Sequence, residues 1–268
     1  MMLEDRLRQR RAAGRKLLMP YVTGGITTTW LDQLRAFVEA GADVVEVGLP
    51  FSDPTLDGAT IQEATHRALA RGATTRRILD DLAGAATDVP LVASTYYNLV
   101  LHAGPQRFCA ALRDAGVSGL IVPDLPLGEA DELAGSAASA GIDLVLLAAP
   151  TTPPPRLAQI AERSRGFVYA VSVMGTTGER TTVAASAGAL VDRLRPTTDR
   201  PVLVGFGIST AEQAAHVAST ADGVVVGAAL MRRVLDGASP YDVGSYLARM
   251  RRALDQDLPP GGGRWTRA

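Results

Sequence analysis

Ala40-Gly41-Ala42-Asp43-Val44-Val45, Ala115-Gly116-Val117-Ser118-Gly119-Leu120 and Ala140-Gly141-Ile142-Asp143-Leu144-Val145 are three copies of one junction. In each, the glycine can end a helix in a left-handed conformation, a polar residue turns the chain, and an apolar run begins a buried strand. Working outward, such runs recur along the whole sequence: Leu17–Thr23, Asp43–Gly48, Pro90–Thr95, Gly119–Pro123, Asp143–Ala148, Phe167–Ser172, Pro201–Gly205 and Gly223–Val226. Between them lie segments with apolar residues near every third or fourth position, such as Trp30–Ala40, Pro105–Ala115, Glu129–Ala140, Pro154–Ser164, Ala184–Leu194 and Thr210–Ala218. Near-continuous apolar strands joined by helices form a parallel sheet covered by helices, and eight such units close into a (β/α)8 TIM barrel. The expectation is an α/β single domain over residues 1–255, with an N-terminal helix, an inserted helix Ala59–Arg71 after strand two, and a further helix Tyr241–Leu254 after strand eight. An open doubly wound sheet is the alternative. Residues 256–268, with Leu258-Pro259-Pro260-Gly261-Gly262-Gly263, read as a flexible tail.

Composition narrows the chemistry. The chain has 268 residues, 27 basic against 28 acidic side chains, and a net charge of -1, so it carries no field that would concentrate nucleic acid. The start, Met-Met-Leu-Glu-Asp-Arg, breaks its apolar residues with charge, unlike a secretory signal. The longest apolar stretches, such as Leu144–Pro150, are far shorter than the ~20 residues a bilayer requires. One cysteine, Cys109, cannot form an internal disulfide and suits a reducing, cytoplasmic setting. Lys16 is the sole lysine and precedes an apolar run, at the wrong end for a barrel active site, which leaves little material for a Schiff base. His66, His102 and His216 are never at metal-ligand spacing, so no metal site is expected, and carboxylates are the remaining proton carriers.

The stretch from Val44 to Gly58 carries the most information. Strand alternation sets Val44, Glu46 and Gly48 on one face, so Glu46 points to a barrel face near the strand's C-terminal end. Burial among valines raises a carboxyl pKa toward a range where it can give a proton at neutral pH, although spacing alone also allows a Glu paired to arginine or reaching solvent. Ser52-Asp53-Pro54 is turn chemistry, whereas Asp57 follows a loop long enough to fold back over the barrel mouth. Two carboxylates in unlike surroundings can divide the labour, one a neutral donor and one an anion. Gly175-Thr176-Thr177-Gly178, Gly205-Phe206-Gly207 and Gly227-Ala228-Ala229 follow strands six, seven and eight, where backbone N–H groups make a phosphate pocket. Tyr21, Phe51, Tyr96, Tyr97, Tyr169 and Phe206, at or beyond strand ends, can line a slot for a flat apolar ligand, or simply pack the barrel end.

Together these stretches, with Pro20-Tyr21-Val22-Thr23-Gly24, Glu46-Val47-Gly48-Leu49-Pro50-Phe51-Ser52-Asp53-Pro54, Thr95-Tyr96-Tyr97-Asn98 and Val122-Pro123-Asp124-Leu125-Pro126, resemble the tryptophan synthase alpha chain family over nearly the whole chain, from Leu3 to Leu254. The resemblance implies a lyase of tryptophan biosynthesis that cleaves indole-3-glycerol phosphate to indole and glyceraldehyde 3-phosphate without a cofactor. It implies Glu46 as general acid/base, Asp57 as the second catalytic acid accepting a hydrogen bond from the ring N–H, and Tyr169 and Thr177 in support. Tyr21, Ile61, Ile121, Phe206 and Val225 would line the indole slot, and Gly178, Gly207, Gly227 and Ala228 would bind phosphate. The implied partner is a pyridoxal-phosphate beta chain in an α2β2 heterotetramer, docked on a surface including Phe51, Asp53, Pro54 and Asn98.

The sequence departs from the family pattern in places. Ala228 replaces the usual serine, Gly24-Gly25-Ile26 replaces the usual turn after strand one, and Thr55-Leu56 and Ala59 alter the loop around Asp57. The competing expectations are a free-standing relative that releases indole, a phosphosugar isomerase on the same fold, and a non-catalytic binding homologue.

Overall fold

Eight parallel strands pair in sequence order and close, the first against the last, into one barrel. The computed structural model describes residues 3–85, 87–171, 188–205 and 207–256. The strands are β1 Leu17–Thr23, β2 Val45–Gly48, β3 Leu91–Ser94, β4 Val117–Ile121, β5 Asp143–Ala148, β6 Val168–Val171, β7 Val202–Gly205 and β8 Gly223–Val226. The N-terminal helix α1 is Leu3–Ala12, and α2 (Trp30–Glu39) and α3 (Ala59–Ala70) flank β2, with α4 (Thr75–Ala83) leading into β3. Then come α5 (Tyr97–Ala103), α6 (Pro105–Asp114), α7 (Asp131–Ala140), α8 (Pro154–Arg163), α9 (helical over 188–194), α10 (Ala211–Ala218), α11 (Ala228–Leu235) and α12 (Pro240–Gln256).

The three repeated glycines, Gly41, Gly116 and Gly141, all take positive φ, at 92°, 76° and 72°, as the junction pattern requires. The expected β4 is out by two residues: the strand starts at Val117, directly after Gly116, and stops before Pro123, which has no N–H to give a parallel ladder. Among the described residues, three α-helices escape the sequence reading. Of these, α5 and α11 span seven and eight residues and α4 nine, which are short windows for a helical period to stand out. The helix expected over Ala184–Leu194 lies partly outside the described residues, as do Ser172 and the tail beyond Gln256.

Alternation sorts the side chains into two cores. Val45 and Val47 pack outward against the helices, while Leu17, Met19, Val44, Val92, Val145, Phe167 and Leu203 fill the barrel. Leu3 and Leu7 of α1 join that inner cluster, fully buried, so α1 stoppers the end where the strands begin. Glycine makes room for it: a Cβ on Gly119 would stand 2.7 Å from the Leu3 side chain. At the same end Asp43, wholly buried, accepts from Arg15 Nε at 2.6 Å, from the Leu18 N–H at 3.0 Å and from Arg251 Nη1 at 3.1 Å. That clasp ties α12 to the barrel and leaves the other end open for chemistry.

Candidate active site

β2 delivers Glu46 to the inside of the barrel near its open end, with only 5% of the residue exposed. Its neighbours in register are Tyr21 on β1 and Val92 on β3. Burial there, reinforced by the Asp57 charge, pushes the Glu46 carboxyl up to about 7, against the opposing pull of a hydrogen bond from the Ser94 hydroxyl. Among the described residues no arginine or lysine pairs with Glu46.

Asp57 belongs to the loop between β2 and α3, which Gln62 pins by donating from Nε2 to the Asp57 carbonyl at 2.8 Å. Its carboxylate Oδ2 accepts from the Tyr96 hydroxyl at 3.1 Å, and that same hydroxyl oxygen accepts the Leu56 N–H at 2.9 Å. Phe51 stacks on Tyr96 with ring centroids 5.2 Å apart. Burial raises the Asp57 carboxyl above its ordinary value, and the Tyr96 hydrogen bond, which favours the ionised form, offsets part of that rise. Thus two acids share one site, with unlike surroundings.

Both meet in a cavity of about 640 Å3 at the C-terminal ends of the strands. Of the residues singled out in the sequence, Tyr21, Glu46, Asp57, Ile61, Ile121, Tyr169, Gly207, Val225, Gly227 and Ala228 line it, as do Phe51 and Pro54, which the resemblance sets on the partner surface. Asp53 and Asn98 are exposed. Thr177, Gly178 and Phe206 lie outside the described residues. Two glycines at strand ends do more than form turns. A Cβ on Gly48 would come within 2.0 Å of the Tyr21 hydroxyl, and one on Gly205 within 2.2 Å of the Tyr169 hydroxyl. Their missing side chains are the space the two tyrosines occupy. Gly227 caps α11, whose N-terminus opens onto the cavity and offers N–H groups that have no partner within the helix.

The sequence reading misses Ser94 as a neighbour of Glu46 and Tyr96 as the holder of Asp57, as well as Leu147 and Val171 in the wall. A signal is present, since Ser94 shares its parity with the inward Val92, and Leu147 and Val171 with the inward Val145 and Tyr169. The sole lysine, Lys16, sits just before β1 at the far end, where Nζ donates to the Ala221 carbonyl at 2.9 Å.

The family model described as tryptophan synthase alpha chain matches residues 7–251. The chain belongs to that family. A tryptophan synthase alpha chain from Synechococcus sp. (strain CC9902) is 44% identical over 261 residues, covering 93% of this chain and 96% of the relative. The one from Gloeobacter violaceus is 48% identical over 250 residues, 90% of each. Among solved structures, tryptophan synthase subunit alpha from Legionella pneumophila superposes with a TM-score of 0.86 at 32% identity, covering 95% of this chain and 98% of that one. A Mycobacterium tuberculosis tryptophan synthase structure gives 0.86 at 37% identity, with 94% and 97% covered. Tryptophan synthase alpha chains are lyases that cleave indole-3-glycerol phosphate.

Proposed function

We propose that Glu46 and Asp57 carry out the retro-aldol cleavage of indole-3-glycerol phosphate in this cavity. The observation that bears most weight is the pairing of two acids in unlike surroundings: Glu46 is fully enclosed and pushed up to about 7, while Asp57, half-buried and also raised by burial, accepts a phenol hydrogen bond that favours its ionised form. Protonated Glu46 delivers its proton to C3 of the indole ring, leaving positive charge on the ring nitrogen. The Asp57 carboxylate accepts the ring N–H and stabilises that charge. At ~4 Å and an effective dielectric of ~20, such a pair is worth about 4 kcal/mol, or ~10^3 in rate if felt only in the transition state. Ionised Glu46 then takes the proton of the adjacent glycerol hydroxyl. The carbon–carbon bond breaks, its electrons return to the ring, and indole and the aldehyde of glyceraldehyde 3-phosphate leave. Tyr21, Ile61, Ile121 and Val225 form the slot for the ring, with Phe206 assigned beside them. The phosphate sits against Gly207, Gly227 and the Ala228 N–H, with Gly178 and Thr177 assigned from the stretch after β6; Ala228 offers no hydroxyl, so the helix N-terminus carries its share alone. Tyr169, beside both acids, orients Glu46.

In this reading no cofactor takes part, and indole passes to a pyridoxal-phosphate beta chain in an α2β2 assembly. Exposed Leu56 and Leu101, with Asp53 and Asn98, support a partner at the open end. The setting is the cytoplasm, in keeping with a single cysteine, Cys109, that has no second cysteine in the chain to form an internal disulfide. Incubating the purified protein with indole-3-glycerol phosphate, with and without a beta chain, tests this. Indole should form slowly alone and faster with the partner. Full speed without the partner marks a free-standing lyase, and no indole in either arm refutes the cleavage.

A further inference from the structure

The end of β3 touches both acids. Ser94 and Tyr96 share one parity, and both line the cavity. Ser94 pairs in register with Gly48, two residues beyond Glu46 on the neighbouring strand, and its hydroxyl hydrogen-bonds the Glu46 carboxylate. Just beyond the strand, the Tyr96 hydroxyl donates a hydrogen bond to Asp57 Oδ2 and accepts one from the Leu56 N–H, its ring stacked against Phe51. From this juxtaposition we infer that Ser94-Thr95-Tyr96 is a positioning element for both acids, with Ser94 holding Glu46 and Tyr96 holding Asp57. Neither residue gives or takes a proton in the cleavage.

The segment itself is well fixed. The Thr95 N–H bonds the Ile121 carbonyl at 3.0 Å, and the Tyr97 N–H bonds Asp124 Oδ1 at 2.8 Å, so the strand end is held on the β4 side as well. An anchored backbone lets two side chains set two carboxylates to a narrow range of positions. Each hydroxyl also stabilises the charged form of its acid and so lowers its pKa. The other titratable groups facing the pair are Tyr21 from β1 and Tyr169 from β6, both buried phenols held far above the neutral range. Among the described residues, then, Ser94 and Tyr96 are the groups that pull the two acids down against burial.

This inference rests on the proposed cleavage and predicts how its pH profile divides. Turnover needs Glu46 protonated and Asp57 ionised, so kcat/KM for indole release falls at high pH through Glu46 and at low pH through Asp57. Ser94→Ala removes a bond to the Glu46 carboxylate and should move the basic limb upward by about one pH unit, with the acidic limb unmoved. Tyr96→Phe should move the acidic limb upward and leave the basic limb in place. Ser94→Thr keeps a hydroxyl and should restore the wild-type basic limb. Thermal melts of each variant in the full chain check that it folds. A side chain that only packs would lower the plateau with both limbs fixed, and that result, or both limbs moving together in Ser94→Ala, overturns the inference. Wild-type protein that releases no indole at any pH would instead refute the cleavage on which the inference depends.

Discussion

At the scale of single residues, Glu46 is a stability liability kept for its chemistry. In the folded chain its carboxyl is raised from the ordinary 4.5 to about 7. The native state therefore holds a proton over that interval that the unfolded chain has lost, and stability falls as pH rises through it. The favourable contribution is complete below about 4.5 and is gone above about 7. Glu46→Gln is expected to abolish indole formation and yet to unfold at higher urea than wild type at pH 8, by on the order of a few kcal/mol, with the gap closing toward pH 4. Denaturation midpoints at the two pH values measure this. Equal midpoints at pH 8 would show that Glu46 is not strained by burial.

At the scale of elements, the site depends on what strands omit. Tyr169 reaches the cavity because Gly205 on the adjacent strand has no side chain, and Tyr21 because Gly48 has none. A Gly205→Ala substitution adds one carbon 2.2 Å from the Tyr169 hydroxyl, so the phenol must shift by about an ångström or more. Misplacement on that scale costs about 10^2 in rate, so kcat/KM for indole release should fall by ~10- to 100-fold. Gly135, inside α7, has nothing within 4 Å of the place a Cβ would take, and Gly135→Ala should instead stabilise by about 0.5–1 kcal/mol with unchanged turnover. If Gly205→Ala also left turnover unchanged, the space at the end of β7 would not be what seats Tyr169.

At the scale of the molecule, the two ends of the barrel are separate instruments. The closed end is plugged by Leu3 and Leu7 and clasped by Arg251, which bonds Asp43, the Lys16 carbonyl and Asp255. The open end carries the acids and the cavity. Arg251→Met removes one partner of a buried charge and should cost about 3 kcal/mol in chemical denaturation, while the KM for indole-3-glycerol phosphate stays within about a factor of two. A large rise in KM with little loss of stability would show that the ends are coupled.

The sequence alone determined the barrel, because apolar runs, helical periods and three glycine-ended junctions all follow from local backbone sterics and hydrophobic spacing. It also put Glu46 on one face with Val44 and Gly48, since strand parity is a local property, and the closed barrel made that face the inner one. Only the tertiary structure decided what stands beside that acid. Ser94, Tyr96 and Asp57 reach the site from the end of β3 and from a loop, and whether a carboxylate keeps its proton depends on desolvation and hydrogen bonds assembled from segments far apart in the chain. The glycines show the same division: a turn explains Gly41 or Gly141 locally, but the reason for Gly48 and Gly205 is a tyrosine on the next strand, which becomes visible only when the sheet has closed.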